Sequence, residues 1–176
     1  MSETAKHRYL FLPYCQGNGL DIGFGGDPIV DTAITFDLPE RYSHVGDKPQ
    51  HIKGNAQSLY MFNDKSLDYI YSSHCIEDFI DTWGVLVEWL RVLKIGGLLC
   101  LLFPDEKIYR TRTPIRNIEH KHNDFSLAFL TDTMRRIDKA KRLSEEYGLE
   151  IVLAKEMFDN NDYNCALIMQ KVRFDA

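Results

Sequence analysis

Residues 20–27 read Leu20-Asp21-Ile22-Gly23-Phe24-Gly25-Gly26-Asp27, and this stretch is the strongest local signal in the sequence. The short β-like run at residues 19–22 predicts a first β-strand, and three glycines within four positions predict a turn directly after it. Glycine accepts positive φ and lets a ligand come close to bare backbone. In a doubly wound sheet such a turn lies at the carboxyl ends of the strands, where ligands bind. The glycine pattern alone leaves open whether the turn holds a ligand.

The rest of the 176-residue chain alternates short β-like runs with helical patterns. This alternation is typical of one compact α/β domain, here residues 1–176, with a mostly parallel sheet. The patterns predict further strands at residues 33–36 (ending at Asp37), 51–53, 67–72, 98–103, 151–156 and 165–172. They predict helices at residues 56–62, 83–94 and 130–147, the second ended by Gly96-Gly97 and the third by Gly148. We therefore predict a Rossmann-like, doubly wound sheet with a C-terminal antiparallel hairpin.

Composition excludes some classes of protein. The formal net charge is -5, which argues against a large nucleic-acid surface because phosphate binding uses clustered Lys and Arg. No run approaches the roughly 20 apolar residues of a membrane span, and the apolar run at residues 9–12 is too short for a signal-peptide core. The four cysteines form no C-x-x-C pair and are predicted to be reduced thiols. We expect a cytoplasmic protein that contacts neither nucleic acid nor membrane.

Polar side chains follow the second and third predicted strands. Asp37 ends the second strand, where a carboxylate can accept two hydrogen bonds from a ribose diol. It could equally open a turn before Pro39. Asn55, in Gly54-Asn55-Ala56, could hydrogen-bond an adenine edge or cap a helix. Each residue alone leaves both interpretations open.

Taken in order, four stretches resemble the class I S-adenosylmethionine-dependent methyltransferases, particularly the small, type 11-like branch with an LK-x-GG core. These stretches are GLDIGFGGDP at 19–28, ITFDLP at 34–39, GNAQSLYMFNDKSLDYIYSSHCIEDF at 54–79 and LVEWLRVLKIGGLLCLLFPDE at 86–106. The resemblance covers about half of the chain. It implies a Rossmann-like fold and S-adenosylmethionine as the cofactor.

The resemblance also implies which residues bind that cofactor. They are Asp21, Gly23 and Gly25 at its methionine end, Asp37 at the ribose hydroxyls, and Leu38, Asn55 and Ala56 at the adenine. Ser72, Ser73 and His74 would lie beside the sulfonium and the methyl acceptor.

The chain departs from the family pattern at three places. Asp27 stands where the third glycine is expected, and Asn55 stands where an Asp is common. Gly25 and Asp37 are only twelve positions apart, so the crossover helix between the first two strands should be short or absent, with Pro28 at its start.

Methyl transfer to a hydroxyl benefits from a general base, and an amine acceptor must be neutral. The base candidates are His74, Asp78, Asp105, His120 and His122, and we assign catalysis to His74, Asp105 and His120. His74 can be neutral near physiological pH, although a capping or core role is equally open. The sequence offers no clear third metal ligand beside His120 and His122. We therefore predict that both are solvated loop residues rather than parts of a metal site.

These features predict methyl transfer to a small-molecule or glycan acceptor, at an oxygen or a nitrogen. Tyr71-Ser72-Ser73-His74 follows the fourth strand where an Asn-Pro-Pro-Tyr element would indicate an adenine-directed DNA methyltransferase. Pro28 stands where the third glycine of a nicotinamide-binding G-x-G-x-x-G turn is required, which disfavours an oxidoreductase. A non-catalytic relative that binds the cofactor or a protein partner remains the alternative. The oligomeric state stays open, with a homodimer among the options.

Overall fold

The computed structural model describes residues 1–40, 46–113, 117–144 and 146–174. Its strands are β1 (Gly19–Ile22), β2 (Ile34–Asp37), β3 (Ile52–Lys53), β4 (Leu67–Ser73), β5 (Leu93–Pro104), β6 (Gly148–Met157) and β7 (Asn164–Val172). Its α-helices are α1 (Glu3–Phe11), α2 (Thr82–Val92), α3 (Glu106–Arg112) and α4 (Leu127–Leu143).

The seven strands form one sheet in the order β3-β2-β1-β4-β5-β7-β6. Strands β1 to β5 pair in parallel, whereas β7 runs antiparallel to both β5 and β6. The predicted fold class is therefore confirmed, including the antiparallel C-terminal hairpin. The order reverses at β1, between β2 and β4, and such a switch point opens a crevice at the strand ends.

The two faces of the sheet have separate cores. One core joins alternate strand residues, such as Leu20 and Leu101, to Trp89 of α2 and Met134 of α4. The other joins Phe11 of α1 to neighbours that include Tyr71, whose ring centroid lies 5.1 Å away. Burial on both faces explains why residues 98–103 of β5 read as a continuous apolar run.

Among the described residues, no helix combines the length and the apolar character that a membrane span requires.

Residues 23–33, between β1 and β2, form turns without a helix, as the twelve-residue spacing predicts. Helix α1, which the sequence analysis did not predict, braces this segment instead. Ser2 caps α1, and its hydroxyl also donates to the Asp27 carboxylate. The Arg8 guanidinium binds Asp27 at 2.6 Å and the carbonyls of Pro28 and Ile29 at 3.0 and 3.2 Å. These bonds replace part of the support that a crossover helix would supply.

The helix predicted at residues 56–62 is wrong, because turns occupy this segment. Side chains of α2 bind its backbone groups instead. The Arg91 guanidinium donates to the carbonyls of Leu59 and Phe62, each at 3.1 Å. The Glu88 carboxylate accepts from the Leu59 N–H at 2.7 Å. Since these side chains take the groups that a helix would pair internally, the segment stays in turns.

Three further boundaries differ from the prediction. Helix α2 ends at Val92, and Gly96-Gly97 lie within β5, where Gly96 has φ +86° in an irregular stretch of the β4–β5 pairing. Helix α4 spans residues 127–143 instead of 130–147, and Gly148 begins β6. The polar segment after β5 contains α3, which was not predicted; it begins at Glu106, and Asp105 is its N-cap.

Candidate functional site

A cavity of about 490 Å³ opens at the carboxyl ends of β1, β2 and β4. Its floor includes Gly23 and Gly25 of the glycine turn, and its walls carry Asp37 at the end of β2 and His74 after β4. The cavity lies where the strand order reverses, as expected for a ligand crevice of a doubly wound sheet. Its volume falls in the usual range of about 300–1,000 Å³ for ligand pockets.

The glycine turn fixes the carboxylate of Asp37. Gly25 has φ +57°, and its N–H donates to Asp37 Oδ2 at 3.2 Å. The Leu38 N–H donates to Asp37 Oδ1 at 2.8 Å. Each carboxylate oxygen has two lone pairs, so Asp37 keeps acceptor capacity on the cavity side.

The segment after β3 forms the opposite wall. Asn55 and Ala56 line the cavity, together with Leu38, which is half-exposed. The Asn55 amide is occupied locally, because its Oδ1 accepts from the Gln57 N–H at 2.9 Å. The Ala56 carbonyl accepts from the indole of Trp89 at 2.8 Å, which ties this wall to α2. The result is an apolar slot beside an anchored carboxylate.

Two predicted cofactor residues lie behind the cavity rather than on it. Asp21 is fully buried, and its Oδ2 accepts from the Ile29 N–H at 2.6 Å. Burial, together with the nearby charges of Asp27 and Asp37, raises the pKa of Asp21 well above its usual range. Ser72 is also buried and donates to the Ile22 carbonyl at 3.0 Å. Both side chains therefore brace the backbone around the glycine turn, whereas Ser73 lines the cavity.

His74 follows β4 directly and lies on the cavity wall with φ +51°. Its Nε2 lies 2.6 Å from Asn164 Oδ1, and its Nδ1 lies 3.6 Å from Glu77 Oε1. Burial lowers the pKa of His74, which favours the neutral ring at physiological pH. A neutral imidazole can accept a proton.

Asp105 and His120 do not line the cavity. Asp105 caps α3 by accepting from the Ile108 N–H at 3.1 Å. His120 is buried, and its Nδ1 lies 2.7 Å from Glu106 Oε2. Both residues thus lie one layer outside the residues that surround the cavity.

The sequence analysis missed several groups that the fold brings to the site. The first turn of α1 adds Glu3 and Thr4 to the cavity lining, and the loop after α3 adds Glu119 and Lys121. Glu77 lies behind this wall, and its burial, with the neighbouring Asp78 charge, raises the pKa of Glu77 well above its usual range. Only Ser2, a residue type that favours helix N-caps, hinted at α1 in the sequence.

The fold and the crevice resemble those of class I methyltransferases: the sheet is parallel up to its antiparallel last hairpin, and a glycine turn faces an acidic side chain at the end of the neighbouring strand. The family described as "Methyltransferase domain" matches residues 30–101, a span that begins beyond the glycine turn and ends inside β5. The resemblance predicted from the sequence is confirmed by this match together with the fold.

Solved structures agree with this fold. A SAM-dependent methyltransferase of Thermotoga maritima, described as a possible histamine N-methyltransferase, is 18% identical with a TM-score of 0.68, over 96% of this chain and 89% of that chain. A SAM-dependent methyltransferase of Archaeoglobus fulgidus is 18% identical with a TM-score of 0.67, over 96% and 92%. The plantazolicin methyltransferase BpumL, solved with S-adenosylhomocysteine, is 14% identical with a TM-score of 0.63, over 97% and 83%. Comparison with curated protein sequences gives no match.

Proposed function

We propose that this protein transfers a methyl group from S-adenosylmethionine to an oxygen or nitrogen of a small-molecule or glycan acceptor. The observation that carries the proposal is the position of Asp37. Its carboxylate is held by the N–H of Gly25 and shares one cavity with Asn55 and Ala56. A carboxylate that can accept hydrogen bonds from the two ribose hydroxyls, beside an apolar slot for the adenine, is the arrangement that binds an adenosine group.

The residues around the cavity fit this cofactor. Asp37 would hold the ribose hydroxyls, Leu38 and Ala56 would enclose the adenine, and Asn55 would meet its edge. Gly23 and Gly25 would leave the backbone open to the methionine end, beside Ser73. Asp21 and Ser72 would act from behind by holding the turn. When bound, S-adenosylmethionine supplies a methyl group on a positively charged sulfur that is already activated for displacement.

The protein's own task is then to align the acceptor and to exclude water. His74 lies at the end of β4 on the cavity wall, where a neutral ring could take the proton that the acceptor loses. Asn164 holds the opposite ring nitrogen. Asp105 and His120 would serve catalysis indirectly in this proposal, by positioning α3 and the loop after it. Cytoplasmic location remains the prediction made from the sequence.

A second candidate function is that of a non-catalytic relative that binds the cofactor or a protein partner. The feature that favours it is the absence of a helix between β1 and β2, within residues 23–33, all of which are described. Both candidates expect cofactor binding, so turnover must separate them.

We expect S-adenosylhomocysteine to bind the wild-type chain and Asp37→Ala to weaken this binding about 100-fold. Hydrogen bonds to a charged group contribute roughly 1.5–3 kcal/mol each, so the loss of two at the lower end of this range corresponds to about 100-fold in affinity. Isothermal titration calorimetry measures the effect. Asp31→Ala is the matched control, since Asp31 is 81% exposed and pairs only at the surface with Lys48, and its affinity should stay unchanged.

Stronger binding of NAD than of S-adenosylhomocysteine would overturn the proposal, as would equal affinities of the Asp37→Ala and Asp31→Ala variants. Turnover is read separately, as formation of S-adenosylhomocysteine across a panel of hydroxyl and amine acceptors. Tight cofactor binding with no turnover on any acceptor would support the non-catalytic relative.

A further inference from the structure

Beside the cavity lies a cluster of three side chains that could bind a metal, Glu77, Asp78 and His120, to which the proposed methyl transfer gives no direct chemical role. One ligand atom from each lies within 4.8 Å of the other two. Glu77 and Asp78 belong to a short 3-10 helix after β4, and His120 comes from the loop after α3. Residues 43 positions apart in the sequence are therefore brought together by the fold.

The carboxylate of Glu77 is the most unusual member of this cluster. Its side chain is only 1% exposed, yet neither oxygen makes a hydrogen bond within the described part of the chain. A buried carboxylate without hydrogen bonds is costly, and proteins normally pair such groups or use them to coordinate a metal. Within the described residues, the Glu77 carboxylate is therefore left without a well-formed hydrogen bond and could accept a further ligand.

His120 has the arrangement expected of a metal-binding histidine. Its Nδ1 lies 2.7 Å from Glu106 Oε2, and its Nε2 lies 3.8 Å from Glu77 Oε1. Metal-binding histidines usually donate their other ring N–H to a carboxylate in this way. Glu106 is itself held by Arg110 at 2.8 Å. The ring is thus fixed with its free nitrogen facing the unpaired oxygen.

The separations suit a bound cation. A distance of 3.8 Å is too long for a hydrogen bond, whereas two ligands bound at about 2.1 Å with a tetrahedral angle lie about 3.4 Å apart. The Nδ1 of His74 lies 3.6 Å from the same Glu77 oxygen. Two imidazoles therefore flank one carboxylate oxygen at distances that leave room for an ion.

We propose that Glu77, Asp78 and His120 form a site for one divalent transition-metal ion, at the edge of the cavity. One nitrogen and two carboxylate ligands favour ions such as Mn²⁺ or Zn²⁺ over ions that prefer oxygen alone. Because Asp78 also lines the cavity, the remaining coordination positions would face the bound acceptor. The site differs from the sequence prediction, which paired His120 with His122 and found no third ligand.

The test titrates Mn²⁺ into the purified chain and follows loss of the free-ion signal by electron paramagnetic resonance. We expect one Mn²⁺ per wild-type chain and at least a tenfold weaker affinity in Glu77→Gln. Since Gln has the size of Glu and cannot ionise in the buried position, the variant should remain folded. Its thermal midpoint without metal should be no lower than wild type, whereas Mn²⁺ should raise the midpoint only in wild type. His120→Gln provides a second variant with the same expected loss.

Asp162→Asn is the matched control, because Glu3, His7 and Asp162 form another cluster of potential ligands among the described residues. Unchanged Mn²⁺ binding in Asp162→Asn supports the proposal. Loss of binding in Asp162→Asn but not in Glu77→Gln would overturn it, as would failure of wild type to bind Mn²⁺ or Zn²⁺. None of these readouts uses S-adenosylmethionine, so this test and the test of methyl transfer can fail independently.

Discussion

Replacing Trp89 with alanine is expected to lower the free energy of unfolding by about 3–5 kcal/mol. Trp89 is completely buried in the core between the sheet, α2 and α4. Its ring packs edge-on against Phe79 with centroids 6.2 Å apart. The substitution leaves a large cavity and also deprives the Ala56 carbonyl of its 2.8 Å hydrogen bond. Urea denaturation followed by circular dichroism measures the loss.

The second tryptophan of the chain is the control. Trp83 is 37% exposed, and its ring meets the Arg136 guanidinium at 5.8 Å. Trp83→Ala should therefore cost no more than about 1 kcal/mol. Equal losses in the two variants would contradict the packing described for α2.

Trp89→Phe separates the two contributions of this side chain. It keeps most of the packing but removes the indole N–H, so the loss should be roughly 1–3 kcal/mol. Because Ala56 lines the cavity, the affinity for S-adenosylhomocysteine should fall in the folded Trp89→Phe protein. An unchanged affinity would mean that the wall formed by Ala56 does not depend on α2.

The sequence predicted the sheet well because the strand signals are local. Burial on both faces makes the β5 run at residues 98–103 apolar throughout. Polar residues mark the turn between the two strands of the antiparallel hairpin. The same logic placed Gly23, Asp37 and His74, which lie at or just after strand ends, at one edge of the sheet, and all three line the cavity there. The separation of twelve positions between Gly25 and Asp37 was enough to predict that the crossover helix is short or absent.

The errors came from contacts between distant residues. No pattern within residues 56–62 reveals that Arg91 and Glu88 bind their backbone groups, so the segment was predicted as a helix. Helix α1 was missed because its contribution to the core depends on tertiary contacts, such as that of Phe11 with Tyr71. The proximity of Glu77 and His120 was missed for the same reason, because the two residues are distant in the sequence and meet only in the folded chain.

The glycine turn allows a sharper test, in which Gly26→Ala is expected to destabilise the protein by at least about 3 kcal/mol. Gly26 has φ +93°, and a Cβ at this position would lie 1.9 Å from the Gly46 carbonyl oxygen. The backbone segments that contain Gly26 and Gly46 cannot move apart freely, because hydrogen bonds join them. The Lys48 N–H donates to the Gly26 carbonyl at 3.1 Å, and the Gly46 N–H donates to the Gly25 carbonyl at 3.3 Å. The added methyl must push two backbone segments apart.

Gly96→Ala isolates the conformational part of this cost. Gly96 has a similar φ of +86°, but a Cβ there would meet no heavy atom within 4 Å. Its loss should therefore be only the roughly 1–2 kcal/mol of a left-handed alanine, measured by the same denaturation experiment. Since the Gly25 N–H also holds Asp37, Gly26→Ala should weaken S-adenosylhomocysteine binding in the protein that remains folded, whereas Gly96→Ala should not. If both variants lose the same stability and keep the same affinity, the close approach of residues 26 and 46 does not shape the cavity.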